Sequence, residues 1–412
     1  MSTGSALGGS PRRLASLPPG GGFVSFREGI QVSFSRGSGT AFGGVAARVG
    51  VVLAGVAVLG AAVLAFTGYL SPGFLRDSVS GYSPGNCRVA AQRPFETPSL
   101  KGLNYGTPRT ASGEWVGTEW LTHWPKTRPA LEADLAFIES QNLGRTMRVF
   151  IGLDQAMIWD DRRGFVGFHE ATLQNFQEAL DVFQAHGMKV IAVLYDQEVV
   201  GSRGNFRFEA LDGLHPAMRS NYLRATDVFL RRFGASTAVI GWDLFNEAYN
   251  SLGADGGLPK PPADDPVSPN LSDATVHSWI HDLYRVAKCA APEASFTVSD
   301  TTELYWKDHP DTSKYADSVD FYDLHIYDDQ PKLKDWASLL REPVIVGEAG
   351  ASTDQNHFAD QRINPAAVRF LLDHARQAGF RAVLAHDSDQ NIYPKDRSTI
   401  TATGRVLASF SG

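Results

Sequence analysis

Two glutamates carry most of the chemical content of this sequence. Glu247 closes the run VIGWDLFNE that starts at Val239, and Glu348 closes PVIVGE, which starts at Pro343. Each run is short, apolar and β-branched, as in a buried parallel strand, so each glutamate is expected at a strand end. Two carboxyl groups at the ends of parallel strands open onto one mouth. Such a pair can divide a displacement between them: one group delivers a proton to a leaving oxygen while the other attacks the carbon it leaves. An isolated strand-final glutamate is common and often only caps the next helix; the weight lies in the joint placement. Four further residues recur at strand positions: Arg148 in MRVF, Asn246 beside Glu247, and His325 and Tyr327 in DLHIYDD. Taken singly, Arg148 reads as a structural ion-pair partner and His325 as a satisfied core histidine. Their order along the chain, Arg, Asn-Glu, His-x-Tyr, Glu, gives them a joint meaning.

The elements that must position these groups follow a regular pattern. The amphipathic stretch LEADLAFIESQNL runs to Gly144 before TMRVFI, and NFQEALDVFQAH runs to Gly187 before MKVIAVLY. NYLRATDVFLRRF likewise runs to Gly234 before AVIGWDLF, and AVRFLLDHARQA to Gly379 before FRAVLAH. Helix, glycine, strand units of this kind imply parallel strands joined by helical crossovers. Candidate strands begin near Gly102, Met147, Val190, Val239, Ser295, Val319, Pro343 and Arg381. Eight such units predict an α/β fold, a (β/α)8 TIM barrel, in which reacting groups sit at the C-terminal strand ends. A doubly wound open sheet is the second fold, weakened because no Gly-rich phosphate fingerprint follows the first strand.

With the residues in that order, the stretch from about Leu100 to Ser411 resembles clan A of the glycoside hydrolases, and most of all its family 5, the cellulase family. The resemblance implies that Glu247 is the general acid/base after Asn246 at the end of strand four, and that Glu348 is the nucleophile ending strand seven. It also implies that Arg148 on strand two favours the ionised nucleophile, and that Tyr327 of the strand-six pair His325 and Tyr327 donates a hydrogen bond to Glu348. Asn246 is then expected to bind the sugar hydroxyl beside the reacting carbon, and GLNYG, with Asn104, to match the family's first strand. Two positions depart from the pattern. Where the family has a histidine after strand three and a tryptophan after strand eight, this chain has Tyr195-Asp196 and His386-Asp387. Tyr195, His386 and Asp387 are therefore read as substrate contacts of a differently shaped site, with Trp306 or Tyr393 in place of the missing tryptophan. The implied function is a retaining glycosidase on a β-linked poly- or oligosaccharide, working by double displacement and needing no cofactor. If an acceptor sugar outcompetes water, the same site is a cell-surface transglycosylase.

Composition narrows the rest. A net charge of -7 over 412 residues, with 20% charged and no basic stripe, gives no footprint for nucleic acid. Trp115, Trp120, Trp124, Trp159 and Trp306 fall at expected loops or their edges, where indoles either stack on sugar rings or pack beneath the loops. A metal-dependent hydrolase on His325, His386, Asp196, Asp323 and Asp387 is the rival of another class; it lacks a His-x-His after strand one, and no metal is expected. A non-catalytic carbohydrate-binding barrel is the third. Residues 1–48 are rich in Gly, Ser, Pro and Arg and are expected to be disordered. The uncharged run Val49–Leu70 is long enough, at about 1.5 Å per residue, to cross a hydrocarbon core of roughly 30 Å. Arg12, Arg13, Arg27, Arg36 and Arg48 precede it against Glu28 alone, which places the N-terminus in the cytoplasm and the barrel outside; secretion after signal cleavage is the alternative. Residues 71–99 read as a linker, and 100–412 as the hydrolase domain. Cys87 and Cys289 form either one disulfide or two buried thiols.

Overall fold

The computed structural model describes residue 87 and residues 94–160, 164–196, 216–247, 273–301, 317–327, 340, 343–350, 364–386 and 391–411. The leader, the apolar run 49–70, the Gly- and Pro-rich stretch 248–272, Trp306 and Asp387 lie outside them. Among the described residues no helix is long and apolar enough to cross a membrane.

Eight strand positions form one parallel sheet: β1 (Lys101–Gly106), β2 (Thr146–Phe150), β3 (Lys189–Val193), β4 (Val239–Asp243), β5 in two pieces (Phe296–Thr297 and Ser299–Thr301), β6 (Tyr322–Ile326), β7 (Val344–Ala349) and β8 (Ala382–His386). The first piece of β5 pairs with β4 and the second with β6, while β1 pairs with both β2 and β8. A sheet whose two outermost members are halves of one strand is closed. With helices α1 (Trp124–Ser140), α2 (Glu170–Ala185), α3 (Pro216–Phe233), α4 (Asp273–Ala290), α5 (Pro365–Ala378) and α6 (Ala402–Ser409) between and after the strands, the fold is a (β/α)8 barrel. An antiparallel pair, Met157–Asp160 with Gly164–Phe168, is inserted between β2 and α2.

The glycine punctuation has two physical origins. Gly144, Gly187 and Gly379 take positive φ, 134°, 65° and 81°, which side chains with a Cβ disfavour. Gly234 does not; a Cβ there would stand 2.3 Å from the Cβ of Ala291, so close packing rather than dihedral angle requires it.

The barrel interior is layered. At the end where the strands begin, Phe95, Ile191, Phe321, Ile345, Ala382 and Leu384 form an apolar plug, with Phe95 stacked on Phe321 at 3.9 Å between ring centres. Phe95 lies in the stretch expected as a linker. Residues 94–99 are thus part of the barrel, because an open strand-start end would leave this apolar layer wet. Cys87 is disulfide-bonded to Cys289 in the last turn of α4, their Cα atoms 5.4 Å apart, which decides between the two cysteine alternatives. Above the plug the inward residues turn from apolar to charged.

Candidate active site

The charged layer begins with Arg148. It sits on β2 in register with Asn104 of β1, and Asn104 is in register with His386 of β8. Alternation along β2 sends Met147 and Val149 into the core between barrel and helices and Arg148 into the barrel, where it is 0% exposed. Its Nη1 donates to Glu348 Oε1 at 2.8 Å; Nη2 lies 2.7 Å from Asp243 Oδ2, 2.6 Å from Asn246 Oδ1 and 3.0 Å from Ser299 Oγ. Nε is 3.4 Å from Asp323 Oδ2. Burial alone would lower the guanidinium's pKa, but Asp243, Asp323 and Glu348 together hold it above its ordinary value.

Glu348 reaches this layer by a break in the strand. Ile345 faces the plug and Val346 the outer core, so strict alternation would turn residue 348 outward. The register of β7 shifts between Val346 and Glu348 against β6, and between Val346 and Ala349 against β8. This bulge re-aims Glu348 into the barrel. Gly347 makes it feasible, since a Cβ there would fall 1.9 Å from Asp323 Oδ1. Glu348 Oε2 accepts from the Tyr327 hydroxyl and lies 3.6 Å from both His325 Nδ1 and His386 Nδ1. Burial pushes the Glu348 carboxyl up, but His325, His386 and Arg148, with the Tyr327 hydrogen bond, hold it well below the usual carboxylate range.

Glu247 enters from the opposite side of the mouth. β4 ends at Asp243, and the turn through Asn246 leaves Glu247 at φ 48°, a left-handed conformation that a non-glycine residue rarely holds outside functional sites. The turn is held by Asn246 N donating to Tyr195 O at 2.9 Å, by Phe245 N to Asp243 Oδ1 at 3.3 Å, and by Glu247 N to Ser299 Oγ at 3.4 Å. His325 Nδ1 is 2.8 Å from Glu247 Oε1. A carboxylate oxygen of Glu247, one of Glu348 and a ring nitrogen of His325 all lie within 4.8 Å of one another.

Those three atoms are also the one group of potential metal donors that converge among the described residues. Their charges do not suit a cation. Burial would lower the His325 pKa, but Glu348 and Glu247 push it up to about 9, so at neutral pH both ring nitrogens carry protons. Arg148 already supplies Glu348 with a positive partner. Asp323, another donor of the metal rival, faces that same guanidinium.

The His325 shift has a testable consequence. A histidine whose folded pKa is about 9, against about 6.5 when free, contributes stability that is complete below pH 6.5 and lost as pH rises through 9. Glu348, depressed in the fold, contributes stability above its unfolded value that is lost as pH falls towards its folded one. The unfolding temperature by calorimetry should therefore decline across the alkaline window, and His325→Gln should remove that slope while moving the acid limb to higher pH, since the His325 charge also helps to hold the Glu348 carboxyl low.

Of the residues expected at the site, the structure brings together Arg148, Asn246, Glu247, His325, Tyr327 and Glu348, with Asn104 and His386 at their edge; Asn104 Nδ2 is 3.0 Å from His386 Nδ1. Tyr195 is not among them. β3 ends at Val193, alternation lapses, and the Tyr195 hydroxyl meets Thr226 Oγ1 of α3 at 3.0 Å, outside the barrel wall. Its neighbour Asp196 turns inward instead and accepts from Asn246 Nδ2 at 3.1 Å. Tyr393 is buried against Phe137 of α1. Trp120 and Trp124 are core residues, whereas Trp115 is 60% exposed. Asp243 and Ser299 were missed. Asp243 carried a signal, an acid inside an otherwise apolar parallel strand; Ser299 carried none.

No protein-family model and no curated protein matches the sequence. Solved structures do resemble it. An endo-1,4-β-mannanase from Eisenia fetida is 16% identical, with a TM-score of 0.52 over 78% of this chain and 92% of that one. A GH5_18 protein from Bifidobacterium longum subsp. infantis is 16% identical, with a TM-score of 0.53 over 75% and 78%. A GH5_18 protein from Streptomyces cattleya, in complex with GlcNAc, is 16% identical, with a TM-score of 0.52 over 75% and 80%. At these identities the likeness is one of fold, and it is the fold that the sequence order of strands predicts.

Proposed function

We propose that this chain is a retaining glycoside hydrolase acting on a β-linked poly- or oligosaccharide, with Glu348 as nucleophile and Glu247 as acid/base. The observation that carries the reading is the approach of the two carboxylates to within 4.8 Å. Retaining glycosidases hold the pair about 5–5.5 Å apart, whereas inverting ones leave roughly 6.5–9.5 Å for a water. In the first displacement a Glu348 oxygen bonds to the anomeric carbon as the glycosidic C–O bond breaks, and the Glu247 proton passes to the departing oxygen. In the second, water gives its proton to Glu247 while its oxygen displaces Glu348. Arg148 and Tyr327 keep Glu348 ionised, and Asn246, fixed by Arg148 and Asp196, is placed to take the hydroxyl next to the reacting carbon.

The structural neighbours support a β-linked substrate, since they include β-mannanases and a GH5_18 enzyme bound to Manβ1-4GlcNAc. We further propose that Val49–Leu70 tethers the barrel on the extracytoplasmic side; the Cys87–Cys289 disulfide supports this, because such bonds persist in oxidising compartments. The test is hydrolysis of β-mannans, β-glucans, xylans and aryl β-glycosides, with the anomeric configuration of the first product followed by NMR. Release of the β-anomer first is expected; release of the α-anomer first would rule out double displacement.

A further inference from the structure

A cavity lies outside the ring of strands, beside the loops that follow two of them. It has a volume of about 270 Å³ and lies between the loop after β1 and the loop after β8, against α1. Those two strands carry Asn104 and His386 on their inward side, where His386 Nδ1 is 3.6 Å from Glu348 Oε2, while Tyr105, the next residue of β1, lines the cavity from the outer side.

Its lining reverses the charge of the chain. Arg109, Lys395 and Arg397 line it against a single carboxylate, Asp134, in a protein of net charge -7. That carboxylate is already engaged, accepting from Tyr105 Oη at 2.6 Å and from Arg397 Nε at 2.7 Å. Arg397 spends two more donors, on Ala130 O at 3.2 Å and Lys395 O at 3.5 Å, which leaves two of a guanidinium's five N–H groups. It is held at φ 55°, a strained backbone for arginine and one of three such non-glycine positions among the described residues, Glu247 being another.

An independent feature points to the kind of molecule that would lie here. Trp115 is 60% exposed, the most exposed large apolar side chain among the described residues. Its Nε1 donates to Thr107 Oγ1, a residue of the cavity lining, at 3.1 Å, and its backbone bridges to Arg109. A fixed indole at the rim offers a flat apolar face to a sugar ring, and arginines inside offer donors to a carboxylate.

We propose that this cavity is a subsite for a hexuronate residue, so that the glycan taken by the enzyme carries carboxylates. The proposal rests on the glycosidase reading of the neighbouring site. Its test is therefore binding, which is independent of turnover: calorimetric titration of the full chain with cellotetraose, with cellotetraose oxidised to the carboxylate at C6, and with the C6-sulfated form. The oxidised form is expected to bind at least tenfold more tightly than the neutral one, with the difference shrinking in high salt. The double variant Arg109→Gln, Lys395→Gln should cut that difference several-fold with its unfolding temperature unchanged, the remainder falling to Arg397, and Trp115→Ala should weaken both ligands. Arg397 is kept, since it anchors Asp134. Equal or absent binding of the neutral and oxidised forms, a preference confined to the sulfated form, or a preference undiminished in the double variant would overturn the proposal. Preference for the carboxylate with no hydrolysis of any glycan would defeat the glycosidase reading alone.

Discussion

Replacing Glu247 by alanine is expected to depress hydrolysis of a polysaccharide by about 10²–10⁴-fold, the range that one proton-transferring group supplies. The same variant should retain far more of its first displacement on an aryl glycoside whose phenol leaves without protonation. The reason is the division of labour in the geometry. Glu247 is separated from Arg148 by Asn246 and is hydrogen-bonded to His325, so removing it leaves Glu348 with its Arg148 and Tyr327 contacts. Attack survives, and only proton delivery is lost. Because the second displacement needs a base, the variant should accumulate its glycosyl-enzyme, with a burst of phenol and a lowered KM. Azide, an anion that needs no base, should restore turnover and give the β-glycosyl azide. Glu348→Ala differs on every count: activity falls for both substrate types, no burst is seen, and azide rescue yields the α-azide. If both variants lost activity equally whatever the leaving group, the assignment of roles would fail. If neither lost activity, the site itself would be wrong.

How much of this could be read from residues alone depends on which physical rule governed each position. The strands were legible because parallel strands buried on both faces read as continuous apolar runs, and those starting near Gly102, Met147 and Val190 fall within or beside the observed elements. Arg148 and Asp243 obey alternation and so could be placed. Glu348 does not; a period of two would send it outward, and only the bulge at Gly347 turns it in. Its position at a strand end was readable, its direction was not. Tyr195 failed for the complementary reason, since the strand stops two residues earlier and the chain hands the inward position to Asp196. Tryptophans at expected loop edges divided by packing: Trp120 donates to Phe150 O from within the core, while Trp115 stays outside. No local pattern distinguishes the two, because what separates them is the tertiary surface onto which each loop folds.

Arg148→Met should cost both stability and catalysis, and the two losses should separate. The side chain is fully buried among Asp243, Asp323 and Glu348, and its removal leaves three carboxylates without their shared cation. Breaking a buried ion pair from one side typically costs about 3–5 kcal/mol. Part of that cost is avoidable, because the acids can take up protons. Asp323 is the readiest to do so: burial raises its pKa to about 6 even with Arg148 present, which opposes the rise. The unfolding temperature of the variant should therefore fall most above pH 6 and least in acid, the reverse of the parent's acid limb. Adding Asp323→Asn to Arg148→Met should recover part of the loss at neutral pH, since one unpaired charge has gone. Catalysis should not recover with it. Without Arg148 the Glu348 carboxyl loses one of the three charges that hold it low, so the acid limb of kcat/KM should move to higher pH and stay there in the double variant. A double variant that regained activity along with stability would show that Arg148 serves the fold and not the nucleophile.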